Sequence, residues 1–440
     1  MASPKKYTII GQGLAGSILA YMLMQQGQEV EIFDSPDIPS SSKIAAGIYN
    51  PVTGRKLVKT WLADKIFPFL EDFYPKLERE LNANFFHPLP IYRPFVNEES
   101  QKYFKSDHVP DNFFDFATLE FENINHQNIV NSQLGGVTTK HSGWVDLKVM
   151  LEAFKAYFIE KKVINSVYQN TKNCRDKALP CLSTDTENYR DKALPCLSTD
   201  TENCRDKALP CLSTDTENCL YKALPCLSTD TENYRDKALP CLMFSAYNGT
   251  LIRQGSALSL RYSDDYYNGI EETIIYCEGF NAINNPYFNY LPFSPVKGEL
   301  LDIKIHEINI QEIINQGAFV IPLGDDVYRL GATYSWHELD FIPTEQGRNE
   351  LMGKYQKLMK PEMKIGSHRA GVRPATKDRR PFIGMHPEFE NVGIFNGLGS
   401  KGVSLAPYFA KQFVDFLVND KELHPEVNIN RFASLYLGWK

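Results

Sequence analysis

"KYTIIGQGLAGSILAYMLMQQGQEVEIFD", residues 6–34, reads as strand, glycine turn, helix and strand. The apolar run of residues 7–10 stops at Gly11. Leu14, Ile18 and Met22 then recur every four residues on one helical face, and Gly27 ends that helix before a second strand over 29–33. Gly11, Gly13 and Gly16 have the G-x-G-x-x-G spacing. The first glycine permits a tight turn, the second lets the backbone approach a pyrophosphate, and the third lets helix and strand pack closely. The N–H groups at the helix start, with the helix dipole, favour such an anion. Asp34 ends the second strand, 18 residues beyond Gly16, placed to accept hydrogen bonds from a ribose diol. The glycines alone would fit an ordinary strand-to-helix turn. With strand, helix and acid all in place, the pattern reads as a dinucleotide site, and its grip on an ADP moiety does not separate FAD from NAD.

A 15-residue unit beginning "NCRDKALPCLSTDTE" recurs over residues 173–242 and leaves 370 of the 440 residues for folded domains. Eight of the nine cysteines lie in the array, so the rest of the chain, with Cys277 alone, does not depend on a disulfide framework. Paired cysteines within a unit are separated by six residues with no nearby histidine, which is no zinc pattern, and no metal site is expected. Proline and polar residues dominate each unit, and the array is expected to be an extended or disordered insertion into a β-hairpin. Residues 1–6 lead straight into an apolar strand without a signal segment, pointing to a cytoplasmic location. The apolar runs fall short of the roughly 18 residues a membrane span needs. A net charge of −7 without a long basic run gives nucleic-acid binding no electrostatic footing.

Residues 368–373, "HRAGVR", look extended, so Arg369, Gly371 and Arg373 share one strand face. Two guanidiniums there could clamp a carboxylate, or either could pair with a local acid such as Asp378. Residues 392–395 read as a strand leading into "NGLGSKG", and Leu405, Phe409, Phe413 and Leu417 form the buried stripe of a final helix. A glycine-rich loop thus opens a helix for the second time, with N–H groups available to a second anionic group. A helical stretch is expected over 57–81, and another after Pro343 with Thr344 as its N-cap.

The order of "AAGIYNP", "GWVDLKVMLEAF", "TIIYCEGF", "PVKGELLDI", "FVIPLGDDVYRLGATY", "GVRPATKDRRPFIG" and "NGLGSKGVSLAP" after the nucleotide fingerprint resembles the FAD-dependent D-amino-acid oxidase and glycine oxidase family. The resemblance spans nearly all of the non-repeat residues and is strongest in the last seventy. It implies FAD rather than NAD, and an α/β fold: a Rossmann-type FAD-binding domain built from discontinuous segments, plus an α+β substrate domain with a large, mainly antiparallel sheet. The FAD-binding segments would be 1–87, 141–172, 243–288 and 366–440; the substrate domain would take 88–140 and 289–365, with the insertion at 173–242.

The same resemblance carries residue roles. Gly11, Gly13, Leu14, Ala15 and Gly16 match the pyrophosphate turn, and Asp34 the ribose acid. Ser42, Ala45, Ala46 and Gly47 match the loop beside the flavin, Val163 the adenine-side strand and Gly279 a later flavin-domain turn. Gly397, Gly399, Ser400, Lys401 and Gly402 match the loop under the isoalloxazine. The candidate catalytic residues are Arg373, as the bidentate holder of a substrate carboxylate, Lys401 and Tyr49, with Trp336 and Arg369 as further residues shaping the pocket. The chain departs from the family where Phe319 replaces a tyrosine and where Ser400 replaces a second arginine; Lys401 could restore that charge. No cysteine follows Cys277, so the flavin is expected to be non-covalent.

The implied reaction is hydride transfer from the carbon bearing an amine to flavin N5, with hydrolysis of the imine and reoxidation by oxygen or another acceptor. Three functions follow: oxidation of the C–N bond of an amino acid or secondary amine; trimming of a tRNA wobble-uridine side chain by a flavin domain that "GIYNP" also resembles; or flavin binding by a catalytically inactive interaction protein.

Overall fold

The computed structural model describes residues 4–35, 39–54, 57–105, 113–166, 243–246, 249–254, 257–261, 272–306 and 308–437. The cysteine-rich array, residues 173–242, lies outside the described residues. The opening stretch folds as its pattern dictates into β1 (Lys6–Ile10), α1 (Leu14–Gln25) and β2 (Glu29–Asp34). Six strands lie side by side in the order Ile164–Ser166, β2, β1, Glu272–Tyr276, Val392–Asn396 and Phe382–Met385. The first five run parallel and the last is antiparallel to its neighbour. Such strands are covered on both faces, which is why "KYTII" and "VGIFN" are almost continuously apolar and buried.

Gly11 is tied to this sheet from both sides. Its N–H donates to the Phe33 carbonyl (2.8 Å), its φ is +103°, and an added Cβ would come within 2.7 Å of the Cys277 carbonyl oxygen. At Gly16 a Cβ would overlap the Gly11 carbonyl oxygen, so only hydrogen lets α1 close on the turn. The helix Gly402–Asn419 packs beside α1, with Gly402 against Leu14. The helix Ala63–Leu81 joins them, its Tyr74 hydroxyl donating to the Val403 carbonyl (2.6 Å). That helix begins later than expected: Leu57 and Leu62 have positive φ, and Val52–Thr53 pairs with Val58–Lys59 as a short hairpin ahead of it.

The second sheet has eight strands, ordered Lys364–Arg373, Val296–Lys304, Val327–Gly331, Ala318–Gly324, Ile313–Gln316, Ile91–Pro94, Gly136–Thr139 and Ala117–Glu120. Every pairing is antiparallel except Ile313–Gln316 with Ile91–Pro94. The helix Glu345–Leu358 packs on it through Leu351, Tyr355 and Leu358. Thr344 caps that helix, accepting from the Gly347 N–H (3.0 Å), and the buried Glu299 accepts from Thr344 N and Oγ1 (2.9 and 2.8 Å). The expected segment boundary at residue 366 falls inside Lys364–Arg373, which pairs with Val296–Lys304 along its length. The chain therefore changes sheets after Arg373.

Ile48–Tyr49, Gly143–Val145 and Phe86–Pro88 form a three-stranded sheet in the same unit. The chain divides into two units, and the smaller holds most of another three-stranded sheet, Met243–Ala246, Gly249–Gln254 and Ala257–Arg261, with Gln254 and Ala257 assigned to the larger. Among the described residues no helix is long and apolar enough to cross a membrane.

The two glycines of α1 and its exit separate steric from conformational cost. Gly16→Ala must displace backbone and is expected to lower unfolding free energy by about 3 kcal/mol. Gly27→Ala, at φ +71° with open space around it, should cost only about 1 kcal/mol. Urea unfolding of both variants checks the order; equal costs would refute the close-packing role of Gly16.

Candidate nucleotide and substrate site

The carboxyl ends of β1 and Glu272–Tyr276 meet at the centre of the parallel sheet, where α/β sheets take ligands. There the Gln12 N–H donates to Asp34 Oδ1 (3.0 Å), holding the acid against the glycine turn. The Leu14 N–H donates to Ser42 Oγ (3.2 Å), and the Ser42 N–H to Ser40 Oγ (3.3 Å). Helix α1 has no acid in its first turn and no side-chain cap. Gly13 lies close to the same serines: a Cβ there would come within 3.3 Å of Ser42 Oγ, a tight contact. A helix start with no acid in its first turn, a glycine at its N-cap and an acid at the strand end fit the anionic and ribose parts of a dinucleotide. Val163 lies at the edge, its carbonyl accepting from Ile32 N–H (2.8 Å) just before Ile164–Ser166 joins β2.

The second glycine loop closes on the first. Gly397 and Gly399 have positive φ, and the Gly399 N–H donates to the Pro374 carbonyl (3.1 Å), next to Arg373. Asn396, 2% exposed, donates to the Gly279 carbonyl (3.0 Å) and accepts from the Gly397 N–H (2.8 Å). It thereby joins two turns expected to hold cofactor. Its own role was not read from the sequence, although a buried asparagine ending an apolar strand is a signal. Gly279 has φ +59° with open space beyond its Cα. Ser400 and Lys401 are exposed. Although Lys401 is accessible, desolvation by the protein around its ammonium lowers its pKa, and repulsion from Arg380 and Arg379 adds to the shift.

Beside the first loop, Ala45 is exposed, and Ala46 packs partly against the cluster of Trp144, Ile313 and Ile321. Gly47 is a packing glycine: a Cβ would overlap the Val145 carbonyl oxygen, and its own carbonyl accepts from Val145 N–H (2.9 Å). Gly371 brings the Lys364–Arg373 strand against this loop, its Cβ direction 3.5 Å from Ile44.

Arg373 is half-buried and its guanidinium lies directly over Gly298, where any side chain would collide with it. Nη1 donates to the carbonyls of Lys297 (3.3 Å) and Thr333 (3.4 Å), and the Tyr334 ring centroid lies 4.5 Å from Cζ. Burial lowers its pKa. Among the described residues no carboxylate forms an ion pair with it. Arg369 behaves otherwise: it joins Arg329 on Asp302 (2.6 and 2.9 Å), so this second member of the expected clamp is committed to the sheet.

Tyr49 is 2% exposed and stacks on Phe86 (5.3 Å, 16°) within the apolar core. Phe319 lies against Gly331 in the eight-stranded sheet, and Trp336 is 61% exposed. Lys297, Tyr334 and Glu278 were not read as site residues. Glu278 follows Cys277 at the strand end and accepts from Asn285 Nδ2 (2.7 Å). The residue keeps some accessible surface, yet burial of its carboxyl raises the pKa to about 7, against the lowering by Asn285.

Residues 244–416 match the family model described as DAO, FAD dependent oxidoreductase. The glycine oxidase of Bacillus subtilis (strain 168) is 29% identical over 137 residues, 30% of this chain and 37% of that protein. The tRNA 5-methylaminomethyl-2-thiouridine biosynthesis bifunctional protein MnmC of Marinobacter nauticus is 27% identical over 139 residues, 28% of this chain and 22% of that protein. Each alignment thus spans little more than a third of its relative, or less. The crystal structure of glycine oxidase from Bacillus cereus ATCC 14579 superposes with a TM-score of 0.61 at 16% identity, covering 96% of both chains, which establishes a shared fold.

Glu278 makes stability depend on pH. Its folded pKa lies above the ordinary carboxylate value, so the folded state retains a proton that the unfolded chain has released, and stability falls as pH rises toward 7. Cofactor-free protein is expected to lose on the order of 2 kcal/mol between about pH 5 and about pH 7.5 through this group. Denaturant titrations of Glu278→Gln at the two pH values should show that loss removed, and an undiminished loss would show that Glu278 is not its source.

Proposed function

We propose that this chain, whose residues 244–416 match the family model described as DAO, FAD dependent oxidoreductase, oxidises the C–N bond of an amino acid or secondary amine. Arg373 carries this reading: a half-buried guanidinium with no carboxylate partner among the described residues, adjoining the Gly397–Gly402 loop through Pro374. A buried cation without an anion is costly, and a substrate carboxylate would relieve that cost while fixing the substrate in one orientation. Bound FAD supplies a two-electron acceptor for the hydride on the carbon that bears the amine.

The chain's own residues would bind and orient. Gly13, Ala15 and Gly16 would present turn and helix N–H groups to the pyrophosphate, with Gly11 shaping the turn and Leu14 opening the helix, Asp34 on the ribose and Val163 at the adenine edge. Ser42, Ala45, Ala46 and Gly47 would border the flavin, with Gly279 on its other approach. Gly397, Gly399, Ser400, Lys401 and Gly402 would place a helix N-terminus and an ammonium beside it. Arg373 would hold the carboxylate through the N–H groups its carbonyl partners leave free. Phe319 offers no hydroxyl to assist, so the arginine would carry more of the anchoring alone. The imine would hydrolyse in water, and oxygen or another acceptor would complete the cycle. With no cysteine after Cys277, the cofactor would be held without a covalent bond.

The partial likeness to the MnmC protein supports tRNA side-chain trimming as a second reading. The chain's net charge of −7 weighs against it.

Anaerobic titration with glycine, sarcosine, proline and D-amino acids is expected to bleach the visible flavin band with at least one of them. Bleaching by none, or only by modified tRNA, would reject the amino-acid reading. Arg373→Met should lower kcat/KM about a hundredfold, the worth of a lost charge-assisted carboxylate contact, while FAD content stays at the wild-type level. Acid precipitation should release the flavin into the supernatant.

A further inference from the structure

We propose that Tyr334 sets which carboxylates Arg373 accepts, favouring those with an apolar group next to the carboxylate, and that the buried Lys297 holds Tyr334 in place through Asp340. The inference rests on the carboxylate reading of Arg373. Gly298 backs the guanidinium, Tyr334 covers it at 4.5 Å, and Nη1 is turned to two carbonyls. A carboxylate must approach the remaining in-plane N–H edge, where the substituent on its α-carbon runs beside the tyrosine ring. That ring is 55% exposed, although it belongs to the shell of a buried cation. An aromatic held there without being packed has apolar surface left for a ligand to cover.

The loop that carries the ring is anchored, not free. Lys297 N–H donates to the Ser335 carbonyl (2.8 Å) and Ser335 N–H to the Lys297 carbonyl (3.0 Å), pinning the residue next to Tyr334. Further along, Asp340 Oδ1 accepts from Lys297 Nζ (2.5 Å) and from Ile342 N–H (3.0 Å). The Lys297 side chain is only 3% exposed, so its ammonium depends on Asp340 for a counter-charge. One residue of the strand under Arg373 thus fixes both the guanidinium, through its carbonyl, and the loop that covers it, through its ammonium. Lys297 is a positioning residue and Tyr334 the specificity residue.

Titrating the FAD-loaded protein with acetate and with phenylacetate, followed by the visible flavin spectrum, tests this without turnover. Phenylacetate is expected to bind roughly fivefold more tightly than acetate, in keeping with one aromatic contact. Tyr334→Ala should bring that ratio near one and Tyr334→Phe should keep it, because the ring face and not the hydroxyl makes the contact. Asp340→Asn, which removes the counter-charge of Lys297, should lower the ratio at least twofold with FAD content unchanged. A wild-type ratio at or below one, or a Tyr334→Ala ratio equal to wild type, overturns the proposal for Tyr334; an unchanged Asp340→Asn ratio overturns the role of Lys297. Arg373→Met binding acetate as tightly as wild type would instead defeat the carboxylate reading beneath both.

Discussion

The contact between the Gly11 backbone and the Cys277 carbonyl is the constraint on which the rest of the site depends. It brings two chain segments more than 260 residues apart so close that a Cβ on Gly11 would lie 2.7 Å from the Cys277 carbonyl oxygen, at the point where neighbouring parallel strands end. Gly16 closes α1 onto the same turn, and Leu14 carries Gly402 and the final helix. Ser42 is attached through the Leu14 N–H, and Gly371 brings the substrate-side strand against Ile44. A bulkier group at the first contact would move every later one, because each loop is positioned by the backbone of another and not by an independent scaffold.

A second constraint acts across the sheet. Burying Arg373 over Gly298 without an anion is unfavourable, and the fold tolerates it only through two long carbonyl contacts and the Tyr334 ring. Asp302 shows the alternative within the same strand pair: it gathers Arg329 and Arg369, and its carboxyl pKa is lowered by those guanidiniums despite burial. One strand face therefore carries, four residues apart, a cation paired with a carboxylate and one that, among the described residues, is not. The latter guanidinium is the one that adjoins the glycine loop.

Much of the fold was legible because it is written in local periodicity. The strand, turn, helix and strand of residues 6–34, the buried stripe of the last helix and the Thr344 cap all follow from short-range chemistry. The sites of disagreement are those that a linear pattern does not encode. Arg369 and Arg373 share a face and a spacing, and only the cross-strand partner Asp302 separates their roles. Tyr49 follows a glycine in a promising motif, yet the orientation of its strand sends the ring into the core. Leu57–Leu62 carries helix-compatible residues, but a hairpin and a left-handed Leu62 override them. Asn396, Glu278 and Lys297 went unread because their importance lies in partners more than forty residues away or in burial that composition does not reveal.

The electrostatics of the site are local, and Glu278 demonstrates it. The chain is acidic overall, yet two helix N-termini without an acid in the first turn, Arg373 and Lys401 gather positive potential around the glycine loops. A carboxyl within reach of that potential would ionise more readily than usual. Glu278 instead ionises less readily: burial dominates, Asn285 alone opposes it, and no cation contributes. At this strand end the loss of hydration therefore decides the titration of the carboxyl, and the Asn285 amide offsets only part of it.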